Sequence, residues 1–384
     1  MRFLHSGDWH VGRVLHGANL IDDQAHLLDQ FVDVARQERP DAVLIAGDVY
    51  DRAVPPTEAV ELLDDVLSRL VLDLKLQVIL IAGNHDSAAR LAFGSKLLAG
   101  RGLHILGSLT ATASSVVLDD QHGPVHLYPL PYTEPAIVRH FTGDDTVQGH
   151  QAAMKVLLDG IWARHPKGAR SVAIAHCFVA GSTACESERP ICIGGAGSID
   201  PTVFTGFNYV ALGHLHRPQT CDEGRIWYSG SLMRYSFSEV DHDKAVLLVD
   251  MDAKGDCKIS QVKLPSRRQV RRIEGLFDDI ISGAAVDNAP EDYLMITLRD
   301  QGPIFDAMGK LRMVYPNVLH IERPAITGIS ATDSGRVDHR KMNEMELFGA
   351  FFKEVTGDSL NEAQSAAFAK VVEQVRRVQR EDVA

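Results

Sequence analysis

The chain has 384 residues, 45% of them apolar and 23% charged, with a formal net charge of −12. That is an ordinary globular balance with room for two or three domains. No run approaches ~20 uninterrupted apolar residues, so no membrane span is expected. The acidic excess also argues against a protein that coats DNA through its own Lys and Arg, though not against a local basic patch. The five cysteines (Cys177, Cys185, Cys192, Cys221 and Cys257) are odd in number and contain no CxxC pair. They predict neither a disulfide framework nor a zinc ribbon, but reduced thiols. The first residues run straight into a polar motif that signal cleavage would remove, so the expected location is cytoplasmic.

In chain order, Phe3–Ser6 reads as a strand ending at Asp8-Trp9-His10. Asp22–Glu38 reads as a helix with Leu28, Phe31, Val32 and Ala35 on one face. Ala42–Ala46 is a buried strand ending at Gly47-Asp48-Val49-Tyr50-Asp51. Pro55-Pro56-Thr57 opens a helix through about Leu74, with Thr57 as the expected N-cap. Val78–Ala82 is the next strand, ending at Gly83-Asn84-His85-Asp86, and a helix is expected over Ser87–Ala99. Strands then follow at Val116–Leu118, Val125–Tyr128, Ser171–Ala175, Tyr209–Leu212, Ile226–Tyr228 and Ala245–Val249. Two of them end at His176 and at Gly213-His214-Leu215-His216. Continuous apolar strands separated by helices predict sheets covered on both faces.

A boundary is expected near Pro265. Domain one is then 1–265. The segment after it carries Arg267, Arg268, Arg271 and Arg272 and leads into a small strand–helix–strand unit, 266–324. Residues 325–340 read as a polar linker. Residues 341–384 read as two amphipathic helices, Met342–Val355 and Ser359–Arg380, broken at Gly357-Asp358. They form either a docking hairpin or a cap on the core.

The five polar punctuations carry the chemistry. Asp8 and His10 offer two ligands from one strand end. Asp48 is the candidate bridging carboxylate, Asn84 offers a neutral amide oxygen, and His176, His214 and His216 offer imidazole nitrogens. Mixed N/O ligation suits manganese, iron or zinc better than magnesium or calcium. Two such ions about 3.5 Å apart would clamp a phosphoester and generate hydroxide. His85 is then free to contact the phosphate or protonate the leaving group, and Asp86 is placed to orient it. Each motif alone has a plain structural explanation: Gly-Asn-His-Asp is good turn chemistry, and a single His at a strand end is usually structural. All five in order, each after an apolar strand, are not explained that way.

This ordered set resembles the calcineurin-like metallophosphoesterase superfamily. The wording Ser6-Gly7-Asp8-Trp9-His10-Val11-Gly12-Arg13, the run Asn208–Gln219 and Tyr228-Ser229-Gly230-Ser231-Leu232 resemble, more narrowly, the SbcD family of bacterial SbcCD DNA nucleases. The resemblance spans the whole chain and is specific over the first 240 residues. It implies an α/β fold with a four-layer αββα core, a small α/β capping domain and C-terminal helices. It implies one metal held by Asp8, His10, Asp48 and His216, a second held by Asp48, Asn84, His176 and His214, and His85 as the catalytic histidine. It implies two Mn2+ as cofactor, and 3′–5′ exonuclease plus single-strand and hairpin endonuclease activity in DNA repair and recombination. The implied partners are DNA ends and hairpins, an SbcC-type coiled-coil ATPase docked on the C-terminal helices, and a second copy of the chain. That homodimer would pair through Thr57–Leu74 and Ser87–Ala99 and form a heterotetramer with SbcC. Asp51 is either a supporting carboxylate or a turn residue. Arg13 and the four arginines at 267–272 are candidate phosphate contacts, with a solvated linker as the plain alternative. Two other functions stay open: a small-molecule phosphodiesterase or phosphatase with the same metal site, and a non-catalytic DNA-end tether.

Overall fold

The computed structural model describes residues 1–109, 115–188, 197–222, 224–324 and 344–381. The expected linker at 325–340 lies outside them. The chain divides into two compact units, Met1–Arg271 and Arg272–Ala384.

The first unit holds two six-stranded sheets. One runs Cys257–Val262, Val246–Met251, Arg2–Ser6, Ala42–Ile45, Gln77–Ile81, Leu103–Leu106. The other runs Gln219–Asp222, Ile226–Tyr228, Tyr209–Gly213, Arg170–His176, Gly123–Leu130, Val116–Asp120. Alternate residues of both sheets meet in one core. Phe3, Leu44, Ile79 and Leu247 come from the first sheet; Leu127, Val172, Ile174 and Tyr209 come from the second. The opposite face of the second sheet (Ala173, Ala175, Val210, Leu212) packs on Met154, Leu158 and Ile161 of helix Gly149–Trp162. On the first sheet the alternate residues Leu4, Val43, Ile45, Val78 and Leu80 are buried too. Helix Ile21–Glu38 contributes Leu27, Leu28, Phe31, Val32 and Ala35 to the core and packs on helix Thr57–Ser68. The architecture is therefore the expected four-layer αββα sandwich. Burial on both faces is why its strands lack polar alternation.

Strands Arg2–Ser6, Ala42–Ile45 and Gln77–Ile81 are mutually parallel, as are Arg170–His176 and Tyr209–Gly213. All five candidate ligand motifs therefore leave the carboxyl ends of their strands, where layered α/β folds gather ligands. The backbone ladder continues past the strand ends. Asp8 N–H donates to Gly47 O (3.0 Å) and His10 N–H to Asp48 O (2.9 Å), which holds two of the loops in register.

Three local expectations are corrected. Thr57 is the first helical residue and Pro56 the cap, with no side-chain capping bond; the α-helix ends at Ser68 and a π-helical turn covers Arg69–Asp73. The helix expected over Ser87–Ala99 is two short turns, Ala88–Leu91 and Ser95–Leu98, interrupted at Gly94, whose φ is +71°. Part of the arginine segment is a strand, Val270–Gly275, and not a linker.

The second unit has its own core. Strands Val270–Gly275, Tyr293–Leu298 and Val318–Glu322 form a sheet. Leu294, Ile296, Leu298 and Val318 pack with Phe277 and Ile280 of helix Phe277–Gly283 and Leu311 of helix Ala307–Arg312. Toward the C-terminus, helices Glu344–Thr356 and Glu362–Glu381 flank Gly357, whose φ is +79°. The Phe348 and Phe368 rings stack at 3.8 Å between them.

Candidate metal centre

The backbone is strained where the candidate ligands sit. Asp8, His10, Asp48 and His214 have φ of 52°, 45°, 48° and 105°. They are half of the eight non-glycine residues with positive φ among those described, and each such conformation costs ~1–3 kcal/mol. Glycines let these loops approach. Gly47 has φ +92°, which fits the sharp bend its position suggests. Gly83 is needed for space instead: a Cβ there would lie 2.1 Å from Asp48 Oδ1.

Asp8, Asp48, His10, His176, His214 and His216 are all buried. Asp48 Oδ2 lies 3.5 Å from His176 Nε2 and 3.8 Å from His10 Nε2, so one oxygen faces both groups of histidines. In the first group, His10 Nε2 and His216 Nε2 are 3.1 Å apart. Asp8 Oδ2 is buried beside them without a hydrogen-bond donor among the described residues, and Asp8, His10 and His216 present convergent ligand atoms. In the second group, Asn84 Oδ1 lies 2.9 Å from His176 Nε2 and 3.2 Å from His214 Nδ1. His176 Nδ1 donates to Ala46 O at 2.8 Å, which aims its other nitrogen, Nε2, at Asn84 and Asp48.

Lone pairs therefore converge from oxygen and nitrogen atoms that have few protons to share. The electrostatics record that conflict. Burial raises Asp8 well above the usual carboxylate range. Burial also lowers His10, and lowers His214 to about 3 with help from His176. Burial alone would lower His176 as well, but the Asp48 carboxylate lifts it to about 9. Burial opposes ionisation of Asp48, yet His176 and His10 hold it below its ordinary value. Divalent cations satisfy such a donor set without needing a proton, so these residues fit a two-metal site. Asp8, His10, Asp48 and His216 would hold one ion; Asp48, Asn84, His176 and His214 would hold the other.

His85 stands beside both groups. Its backbone N–H donates to Asp48 Oδ1 at 2.8 Å, and its Nδ1 donates to the Asp51 carbonyl at 2.8 Å. Its Nε2 lies 4.0 Å from Asp48 Oδ2. Asp86 does not orient it, contrary to expectation. The Asp86 carboxylate accepts from the N–H groups of Val49, Tyr50 and Gly83 (3.1, 2.9 and 2.9 Å) and ties two ligand loops together. The Asp51 carboxylate holds Arg13 at 2.9 Å and lies 3.7 Å from His10 Nδ1. Arg13 also lies over the Tyr235 ring at 5.3 Å. It thereby braces the loop that carries Asp51. The arginine group also divides: Arg268 pairs with buried Asp23 at 2.9 Å, Arg271 is half-buried, and Arg267 and Arg272 are exposed.

Several supporting residues have no signature in the sequence. Gln24 Nε2 donates to Trp9 O and His10 O (3.2 and 2.8 Å), and its Oε1 accepts from Gly12 N–H (2.9 Å). Tyr235 OH donates to Trp9 O. The only hint is a polar residue on the buried face of an amphipathic helix.

Residues 1–218 match the calcineurin-like phosphoesterase family, and residues 266–356 match the family described as type 5 capsule protein repressor C-terminal domain, SbcD_C. Solved structures similar to this chain include a protein from Thermus thermophilus (14% identity, 69% of this chain and 99% of the other, TM-score 0.41). Another is a dimetal phosphatase from Danio rerio (15% identity, 69% and 97%, TM-score 0.42). A third is the phosphoesterase Yfce from E. coli (14% identity, 69% and 100%, TM-score 0.29). The first match covers more than half of the 384 residues: the chain belongs to the calcineurin-like phosphoesterase family, and the SbcD_C region that follows is consistent with an SbcD-type subunit of an SbcCD complex.

Proposed function

We propose that this phosphoesterase is the manganese-dependent DNA nuclease subunit of an SbcCD-type complex, cutting DNA ends, single strands and hairpins. The observation that carries the reading is Asp48 Oδ2 facing both histidine groups, with His85 beside it. Two divalent ions in such a site supply a nucleophilic hydroxide and a charge clamp on the scissile phosphodiester. The chain's own residues do the rest. The Asp51 carbonyl fixes the His85 ring, and Asp86 and Gln24 hold the ligand loops. Arg52 and Arg217, exposed and adjacent to Asp51 and His216, join Arg13 as candidate phosphate contacts beside the site. The SbcD_C match is what points the reading to DNA.

The test is cleavage of 3′-recessed and hairpin DNA by the purified chain with manganese, magnesium or chelator, beside a cyclic nucleotide. Manganese-dependent DNA cutting is expected. Cyclic nucleotide turnover without DNA cutting would move the assignment to a small-molecule phosphodiesterase. DNA binding without hydrolysis of either would favour a tether.

The partners follow from exposed apolar surface. A groove of about 730 Å³ lies between helix Thr57–Ser68 and the turns over Ala88–Leu98. Beside it Phe93 is 88% and Leu97 84% exposed. Patches of this kind mark protein contacts, and the proposed occupant is a second copy of the chain. F93E/L97E should be monomeric by light scattering at concentrations where the wild type is dimeric, with hydrolysis of a small phosphodiester within about twofold; a dimeric variant removes this interface from the reading. The C-terminal helices also expose Leu347, Phe351 and Val371, and they are proposed to dock the SbcC-type ATPase.

A further inference from the structure

Behind His216 lies a buried charged network that the two-metal reading does not use. Glu239 is fully buried and Lys244 nearly so, and the two form an ion pair. Lys244 Nζ spends its other two donors on His216 O and Ser231 Oγ, both at 2.7 Å. Glu239 Oε1 lies 3.1 Å from His216 Nδ1. The same oxygen accepts from Ser187 Oγ (2.5 Å) and Tyr235 N–H (3.2 Å). Ser187 Oγ is itself 3.0 Å from His216 Nδ1. On the other side, His216 N–H donates to Glu188 Oε1 at 2.7 Å. Ser231 N–H donates to His216 O at 3.2 Å.

Every polar atom of His216 except Nε2 is thus committed. A neutral imidazole carries its proton on either nitrogen unless a neighbour decides. Here Nδ1 faces an acceptor-only carboxylate, so the proton sits on Nδ1 and the Nε2 lone pair points toward His10. A buried ion pair is weak evidence of stability, because apolar residues of the same shape usually hold a fold equally well. What Lys244 contributes is a charge that keeps Glu239 an acceptor and a grip on the His216 carbonyl. We propose that Glu239, supported by Lys244, is a positioning residue that fixes the tautomer and direction of His216 for the first metal. The inference rests on the two-metal reading of the site. Carboxylate partners of ligating histidines are commonly worth 10–100-fold in metal affinity.

The test uses the full chain and Mn2+ alone, with binding followed calorimetrically and by electron paramagnetic resonance. E239L/K244M removes the acceptor and the charge together and fills the space. E239Q/K244M restores an oxygen without the charge; Tyr235 N–H and Ser187 Oγ–H require an acceptor there, so the amide oxygen faces His216. Thermal unfolding in chelator should show both variants folded. E239L/K244M should bind one ion about 10–100-fold more weakly and the other unchanged, giving the same mononuclear spectrum as H216A at low Mn2+. E239Q/K244M should recover most of that loss. A folded E239L/K244M that binds both ions as the wild type does overturns the inference and leaves the two-metal site standing. A wild-type chain that binds fewer than two ions overturns the two-metal reading itself. The tautomer supplies a measurement that needs no folded variant at Glu239: nitrogen-15 NMR of the metal-free wild type, with His216 assigned through H216Q, should show an Nδ1–H imidazole. An Nε2–H form overturns the assignment.

Discussion

Asp48→Asn is expected to abolish phosphodiester hydrolysis, to about 10⁻³ of wild type or below, while leaving the fold in place. The substitution keeps the shape and an oxygen to accept from His85 N–H at the position now 2.8 Å away. It removes the charge that faces both groups of histidines. With the oxygen held by His85 N–H, the amide NH2 faces the cations and cannot ligate them, so both ions should weaken together. Charge stabilisation by metal contributes several kcal/mol to a phosphoryl transition state, and each ~1.36 kcal/mol is tenfold in rate. The same logic gives a stability readout. Manganese at about a hundred times its dissociation constant should stabilise the wild type by about 2.7 kcal/mol per site. The variant should show little or none of that shift. Activity within tenfold of wild type, or an unchanged manganese-induced rise in melting temperature, would remove Asp48 from the bridging position.

The candidate site was legible because each of its parts is a local event. A strand ends, a turn follows, and a ligand sits within two or three residues of the last apolar position. The parallel order of the strands then gathers all the ends at one edge without further instruction. The same rule separates His5 from the site. It lies inside its strand, its ring nitrogens 2.9 Å from Tyr209 OH and 3.2 Å from Leu212 O, and burial lowers it to about 3. What was not legible acts through pairings across long stretches of chain. Gln24 braces a loop held also by Tyr235, and Glu239 reaches His216 from a separate loop; nothing in local spacing marks either. The Arg13–Asp51 pair is equally hidden, because its two members lie 38 residues apart. Asp86 was misassigned for the opposite reason. Its neighbour His85 suggested a dyad, but three backbone N–H groups freed by the tight turns made a stronger claim on its carboxylate. The helix after Asp86 failed where Gly94 takes a left-handed conformation, which the apolar periodicity around it does not reveal.

His85→Gln separates binding from chemistry at the same site. Neither inferred metal includes His85. Its Nδ1 is held by the Asp51 carbonyl and its Nε2 points inward, while 15% of the side chain remains accessible. The ring meets His10 edge-on at a centroid distance of 4.8 Å, which leaves little freedom to turn away. A histidine so held can deliver a proton from Nε2 to a departing oxygen, and general acid catalysis of this kind is worth about 10²–10⁴-fold. Glutamine keeps the size and a hydrogen-bonding group but cannot transfer the proton. DNA cleavage should therefore fall by about that factor, with manganese stoichiometry and DNA affinity unchanged. The leaving group supplies the internal control. A deoxyribose oxygen departs poorly without a proton, whereas a p-nitrophenolate departs readily. Hydrolysis of a p-nitrophenyl phosphodiester should fall much less, by about tenfold or under. Equal losses on both substrates would recast His85 as a phosphate contact that stabilises charge. No loss on DNA would take His85 out of the catalytic step, and the proton would have to come from a metal-bound water or from solvent.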